Sequence, residues 1–185
     1  MKQRFIQLIN RLATGRNFIM MIIVWLSYAM LVMDPSGSSS PNNIGPIDLT
    51  FAVSPTVICN MIEAYGEAFR QDYIWAAIIW DSIYPLIYGL TMLLGFSYGM
   101  SRAGINSAYK DNLLLLPLLV VGADYSENIG IVTLLSTYPS CSLDVASFVT
   151  ILVTVKWVMA ILCLILLIVV FFLFLYRKLQ SHINP

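Results

Sequence analysis

The sequence predicts an all-α integral membrane protein, a four-transmembrane-helix bundle with a short amphipathic helix in its first outer loop. Three observations support this fold class: an apolar composition, four long apolar stretches and an uneven distribution of basic residues. Of the 185 residues, 59% are hydrophobic and 11% are charged, whereas a soluble domain has about 25% charged residues. Since these charges are too few to solvate a globular surface, most of the surface is expected to face lipid.

Each span needs about 20 mainly apolar residues to cross a hydrocarbon core roughly 30 Å thick. The whole chain, residues 1–185, is predicted to be one membrane domain, and four stretches qualify as spans: residues 17–33, 73–98, 113–137 and 148–176. The first stretch is also compatible with the core of a signal peptide, because small residues at 36–40 offer a cleavage site.

The basic residues predict the orientation. One side has only Arg70 outside the spans, against eight basic residues on the other side: Lys2, Arg4, Arg11, Arg16, Arg102, Lys110, Arg177 and Lys178. An excess of lysine and arginine marks the cytoplasmic side of a membrane protein. Both termini are therefore predicted to be cytoplasmic, and the expected location is the bacterial inner membrane.

The predicted outer loop, residues 34–72, has two parts of different character. Residues 34–43 are rich in turn-forming residues and predict a linker. Ser54 and Pro55 then make a typical helix start, and apolar residues follow at helical spacing: Val57, Ile58, Met61, Ile62 and Tyr65. This helix is expected to lie on the membrane or to cap the bundle, either as a passive lid or as a gate.

Two cysteines, Cys59 and Cys141, are predicted to share the outer, oxidising side, whereas Cys163 lies in the fourth predicted span. The first two are candidates for a disulfide that would fix the loop helix over the bundle, with two unpaired thiols as the alternative. No Cys-x-x-Cys motif is present, so thiol redox catalysis of the usual kind is not expected.

Four ionisable residues fall within the predicted spans: Asp81, Asp124, Glu127 and Lys156. Charges at membrane depth are costly, so they are expected to face the bundle interior or a wet cavity. Counted at 1.5 Å per residue from the inner basic residues, they lie roughly 32, 21, 26 and 32 Å above those anchors. All four are therefore predicted to lie in the outer half of the bilayer or at its outer boundary.

These ionisable residues share helix faces with other polar side chains. On the second span, Asp81, Tyr84 and Tyr88 recur at helical spacing. On the third span, Asn128 follows Asp124 by four residues. The catalytic candidates are Asp81, Asp124 and Glu127. The candidate ligand-binding residues are Tyr84, Tyr88, Asn128, Lys156 and, from the first span, Tyr28.

Three roles remain open for these residues: an ion pair that only fixes packing, a ligand-binding or catalytic pocket, and an ion or proton pathway. Three acids against one lysine exceed what a single structural pair requires, which favours the pocket. No metal-ligand spacing, Gly-x-Ser-x-Gly motif or glycine-rich phosphate loop occurs, so neither a metal nor another cofactor is expected. Whether the protein is an enzyme stays open, and catalysis would rest on carboxylate acid–base chemistry.

Two motifs resemble those of a group of small bacterial four-span membrane proteins of uncharacterised function: Asp81-x-x-Tyr84-Pro85-x-x-Tyr88-Gly89 and Asp124-x-x-Glu127-Asn128. This resemblance covers about residues 49–140 and implies a fold but no activity. The layout is also similar to the EXPERA group, which includes the sigma-2 receptor and the sterol isomerase called emopamil-binding protein. That similarity implies four spans, cytoplasmic termini, a long first outer loop and acidic residues in a lipid-facing pocket.

The expected partner is a membrane lipid or another hydrophobic small molecule, and a net charge of zero gives no indication of nucleic-acid binding. Residues 162–175 of the fourth span are apolar all round, so this helix is expected to face lipid or another subunit of a homo- or hetero-oligomer. A small proton-coupled transporter is one alternative function. A non-catalytic subunit or assembly factor of a membrane complex is another.

Overall fold

The computed structural model describes residues 2–32, 44–105 and 107–183, without the side chains of residues 107–109 and 181–183. The predicted linker and the last residue of the first predicted span, Met33, lie outside the described residues. The described part forms one turn of 3-10 helix, Ile47–Leu49, and a series of α-helices: α1 Lys2–Leu12, α2 Gly15–Leu31, α3 Pro55–Ala64, α4 Gly66–Arg102, α5 Ser107–Leu113, α6 Leu115–Ser136 and α7 Leu143–Ile183. The predicted all-α class is confirmed for these ranges.

Three stretches of helix are long and apolar enough to cross a membrane: Gly66–Arg102, Lys110–Ser136 and Leu143–Gln180. α1 and α2 meet the same criterion only as a pair, and they are bent by 92° at the break between them. The described residues therefore indicate a membrane protein with three spans, or four if the bent pair forms one.

Two helices extend beyond the spans predicted for them. The predicted outer loop extends to residue 72, but α4 already begins at Gly66, whose positive φ of 73° ends α3 and redirects the chain into a new helix. α7 runs from Leu143 to Ile183 and is longer than the predicted span 148–176. The prediction followed apolar residues, whereas polar residues extend the helix at both ends.

The N-terminal residues form a helix, α1, that a search for long apolar stretches does not detect. At the break after α1, the side chain of Thr14 caps α2 by accepting a hydrogen bond from the Asn17 amide at 3.2 Å. The Asn17 side chain donates back to the Leu12 carbonyl at 2.8 Å. Side chains therefore satisfy one backbone donor of α2 and one backbone acceptor of α1 at the bend.

α4 is the central helix, and α2, α6 and α7 pack against it. Glycines allow close approach, since a Cβ added at Gly95 would lie 2.7 Å from the Phe18 ring of α2, and one at Gly130 would lie 2.5 Å from Val149 of α7. Small residues at contacts are typical of membrane helices. The half of the bundle near α1 is filled by apolar side chains, among them Leu93, Leu94, Phe96, Met100 and Val170.

The opposite end of the bundle is covered by a cap, defined as the 3-10 turn Ile47–Leu49 together with α3. Ile58 and Ile62 of α3 are buried in one cluster with Ile131 of α6 and Val149 of α7. The amphipathic helix predicted in the outer loop is therefore present, and it packs onto the bundle.

The cap is also attached covalently. Cys59 of α3 and Cys141, in the connection between α6 and α7, form a disulfide with a Cα–Cα distance of 5.9 Å. These are the two cysteines that the sequence assigns to one side of the membrane. The bond joins segments separated by 82 residues and so holds α3 against the ends of α6 and α7.

Candidate functional site

Four ionisable residues form a charged cluster inside the bundle. Their exposed fractions are 7% for Asp81 on α4, 4% for Asp124 and 0% for Glu127 on α6, and 8% for Lys156 on α7. Burying an ion without a partner is strongly destabilising. The arrangement of partners therefore decides what each member of the cluster does.

Lys156 and Glu127 form a buried ion pair, with 2.9 Å between Nζ and Oε1. Glu127 Oε2 is buried and has no hydrogen-bond partner among the described residues. Asp81 and Asp124 take part in no ion pair within the described part of the chain. The single lysine of the cluster is thus paired with Glu127, and the two aspartates supply an acidic excess.

Asp124 is held by neutral donors instead. The Tyr88 hydroxyl donates to Asp124 Oδ2 at 2.7 Å, and Asn128 Nδ2 donates to Oδ1 at 3.3 Å. The same Asn128 amide also approaches the backbone carbonyl of Asp81 at 3.5 Å. Tyr88 and Asn128 therefore fix the Asp124 carboxylate between α4 and α6.

Asp48, in the 3-10 turn of the cap, connects the cap to the charged cluster. Its backbone carbonyl accepts hydrogen bonds from Lys156 Nζ at 3.3 Å and from Trp157 Nε1 at 3.0 Å. Its carboxylate Oδ1 accepts one from the Tyr73 hydroxyl at 2.7 Å. Three side chains from α4 and α7 therefore hold this turn over the cluster.

Tyr65, at the end of α3, steadies the same turn. Its hydroxyl donates to the Gly45 carbonyl at 2.7 Å, two residues before the turn begins. Burial, with a smaller contribution from the Asp48 carboxylate, raises the pKa of the Tyr65 phenol above its ordinary value. The phenol therefore stays protonated and keeps donating this hydrogen bond.

Aromatic residues surround the cluster on the side of α2. Trp25 Nε1 donates to the Tyr84 hydroxyl at 3.1 Å, and the Tyr84 ring meets Tyr88 edge-on at 5.3 Å between centroids. Tyr28 stacks on Tyr84 at 6.1 Å, and its hydroxyl donates to the backbone carbonyl of Trp80 at 2.7 Å. These contacts build a rigid aromatic wall next to the aspartates.

A cavity of about 470 Å³ opens beside this wall, bounded by α2, α4, α6, α7 and the 3-10 turn of the cap. Its charged lining consists of four acids and one lysine: Asp48, Asp72, Asp81, Asp124 and Lys156. Its aromatic lining includes Trp25, Trp80, Trp157, Tyr73, Tyr84 and Tyr88. Lys156, the one lysine in this lining, already pairs with Glu127. The aspartates are therefore in excess, and we call this space the acidic cavity.

Five of the predicted site residues line the acidic cavity: Asp81, Asp124, Tyr84, Tyr88 and Lys156. The other three, Glu127, Asn128 and Tyr28, lie behind the lining and contact it through the bonds described above. Sequence reasoning missed several polar contributors to the cavity, among them Asp48, Asp72, Tyr73 and Trp157. No local sequence pattern marks Asp48, which lies between the predicted linker and the predicted loop helix.

The described residues show no metal site, and a second depression in them is apolar. They contain no group of three histidine, cysteine or carboxylate side chains placed to hold a metal ion. A second depression, of about 440 Å³, lies between α2 and α7 near the α1 end and is lined by apolar side chains such as Phe18, Leu167 and Phe171. The acidic cavity is therefore the candidate site.

The fold and the buried charges are those of a helical membrane protein with a polar site inside its bundle. No protein-family model, no curated protein and no solved structure matches the chain.

Proposed function

We propose that this is a four-span membrane protein with cytoplasmic termini, which binds a hydrophobic or lipid-like ligand in the acidic cavity. Two observations support the topology. α2 is apolar, and its 17 residues reach the lower end of the length range of about 17–25 residues for a membrane span. Of the nine basic residues outside the predicted spans, eight adjoin the helix ends opposite the cap, and Arg70 is the one near the cap. The cap then lies on the outer side.

The acidic cavity is the observation that carries the proposed function. Ligand sites are typically apolar spaces of about 300–1,000 Å³ that contain a few convergent polar groups. The cavity meets this description, since its walls are largely aromatic and aliphatic while Asp81 and Asp124 converge on one region. A purely structural ion pair would require only Glu127 and Lys156, which leaves both aspartates unexplained.

The geometry suggests a division of roles. Asp81 and Asp124 line the cavity and are placed to bind a polar group of the ligand, while Tyr84 and Trp25 contact its apolar body. If the protein is catalytic, the carboxylate of Asp124 with the hydrogen-bonded hydroxyl of Tyr88 is the natural acid–base pair. Glu127 does not line the cavity, so its proposed role is to position Lys156.

Mass spectrometry of lipids retained by the purified protein tests this proposal. The wild type is expected to retain a lipid or other apolar molecule that raises its thermal stability, and Asp81→Asn and Asp124→Asn are expected to lose both retention and stabilisation. Asp144→Asn is the matched control, because Asp144 is exposed on the first turn of α7, remote from the cavity lining. Full retention of the same molecule by both cavity variants would refute the proposed site.

The transporter alternative receives less support from the structure. A proton-coupled carrier needs a polar route through the inner half of the membrane, and the core there is mainly apolar, with buried side chains such as Leu94, Phe96 and Met100. Co-purification of one stoichiometric protein partner, without a bound lipid, would favour the assembly-factor alternative instead.

A further inference from the structure

α1 is held against the bundle in one fixed rotation. Ile6 and Ile9 are buried in the apolar core of the bundle. Asn10 Oδ1 accepts a hydrogen bond from Ser97 Oγ of α4 at 2.7 Å. Because these contacts lie on one side of α1, the directions of its other faces are fixed as well.

Next to this buried side, α1 carries an apolar stripe that the described residues leave uncovered. Phe5, Leu8 and Leu12 are 37%, 52% and 39% exposed. At about 100° per residue, their side chains fall within an arc of about 60°. Arg4 and Arg11 border this stripe on the side away from the buried residues, and both are exposed.

The remaining exposed face of α1 is uncharged and polar, with Gln3 and Gln7. The order around the helix is therefore bundle, apolar stripe, arginines and glutamines. A helix that lies in a membrane interface needs this order, with apolar side chains toward the acyl chains and cations at the headgroups. α1 also stands at 92° to α2, so it lies in the membrane plane when α2 crosses the membrane.

We infer that α1 lies in the headgroup region of the cytoplasmic leaflet, with its apolar stripe in the acyl region and with Arg4 and Arg11 bound to anionic phospholipid headgroups. Charge complementarity supports this occupant, because α1 contains three basic residues and no acidic one. Anionic lipids are the negatively charged component of the cytoplasmic leaflet. The inference rests on the proposed topology and is independent of the ligand in the acidic cavity.

Site-specific quenching in reconstituted vesicles tests the depth of α1. In a Cys163→Ser background, a bimane label is placed on Leu8→Cys or on Gln7→Cys of the full chain. The label at position 8 is expected to be quenched by brominated phosphatidylcholine, and the label at position 7 by aqueous iodide. Equal quenching of both labels by iodide would overturn the inference.

The lipid preference is tested with the label at position 8. Brominated phosphatidylglycerol is expected to quench it more strongly than brominated phosphatidylcholine at the same mole fraction. Arg4→Gln and Arg11→Gln should each lower the relative affinity for phosphatidylglycerol roughly 5-fold, corresponding to about 1 kcal/mol per basic residue. The charge-preserving variants Arg4→Lys and Arg11→Lys should retain most of it. Equal quenching by the two lipids in the wild type would overturn the anionic preference.

These outcomes can be separated from a failure of the proposed function. Reaction of Gln7→Cys with an impermeant thiol reagent from the cap side of sealed vesicles would refute the topology itself. Reaction from the opposite side, together with a water-exposed label at position 8, would refute only the inference about α1. Asp81→Asn is expected to leave the quenching pattern unchanged, because Asp81 lies in the acidic cavity and not near α1.

Discussion

The buried ion pair makes a quantitative prediction. Lys156→Met removes the charge while keeping a side chain of similar length. Glu127 then remains fully buried, with its Oε1 unpaired and its Oε2 already without a hydrogen-bond partner in the described residues. Leaving one member of a buried pair alone typically costs about 3–5 kcal/mol. The Asp48 carbonyl keeps its hydrogen bond from Trp157, so loss of the second donor adds little.

The expected loss in the free energy of unfolding is therefore about 3–5 kcal/mol, measured by steric trapping in lipid bicelles. The double variant Lys156→Met/Glu127→Leu removes both charges and should recover most of this loss, because an apolar pair of similar volume is often as stable as a buried ion pair. Lys2→Met is the control, since Lys2 is exposed on α1. It should change the free energy of unfolding by less than about 0.5 kcal/mol.

Two outcomes would refute this reasoning. A loss below about 1 kcal/mol for Lys156→Met would mean that Glu127 is neutral or hydrated and that the pair is not a buried charge pair. Strictly additive effects of the two substitutions would mean that the residues do not interact, contrary to the distance of 2.9 Å between their charged atoms.

Two further predictions concern packing and the cap. Gly95→Ala should lower the free energy of unfolding by about 1–3 kcal/mol, because its Cβ would lie 2.7 Å from the Phe18 ring. Gly122→Ala, where no atom lies within 4 Å of the new Cβ, should be neutral or slightly stabilising in the same assay. Reduction should slow the migration of the wild-type chain on a denaturing gel, and Cys59→Ser should abolish this shift while Cys163→Ser should not. The Cys59→Ser variant should lose less than the roughly 4–5 kcal/mol expected for a loop of this length in water, because membrane insertion already restricts the unfolded chain.

The long apolar helices could be predicted from the sequence because hydropathy depends on runs of neighbouring residues. The burial of four charged residues could be predicted for a related reason; these are Asp81, Asp124, Glu127 and Lys156. A charged side chain within an apolar span avoids lipid by facing the interior of the bundle. The sequence did not predict that Asp124 and Glu127 have different partners. They lie three residues apart on one helix, yet Asp124 bonds to Tyr88 of α4 and Glu127 pairs with α7.

Contacts between distant parts of the chain could not be predicted from the sequence. The bond between Lys156 and the Asp48 carbonyl joins residues 108 positions apart, and no local pattern around Asp48 predicts it. α1 is a different case, because its apolar residues at positions 5, 6, 8, 9 and 12 do recur at helical spacing. Its basic residues indicate the orientation of the chain, and the segment is too short and too polar to be predicted as a span.

The way the cap is held bears on how a ligand reaches the acidic cavity. The 3-10 turn is bonded to Tyr73, Lys156 and Trp157, and the disulfide secures α3 beside it. Entry through the cap would therefore require breaking several hydrogen bonds at once.

The sides of the cavity are formed by helices of the bundle. α2 packs chiefly on α4, and the cavity lining includes Trp25 and Ala29 from α2 opposite Trp157 and Ala160 from α7. A ligand that enters between α2 and α7 would come from the bilayer, because such a route favours molecules already dissolved in lipid over water-soluble ones. The proposed lipid-like ligand is consistent with that route, and the cavity's acidic groups would then bind the polar part of the ligand.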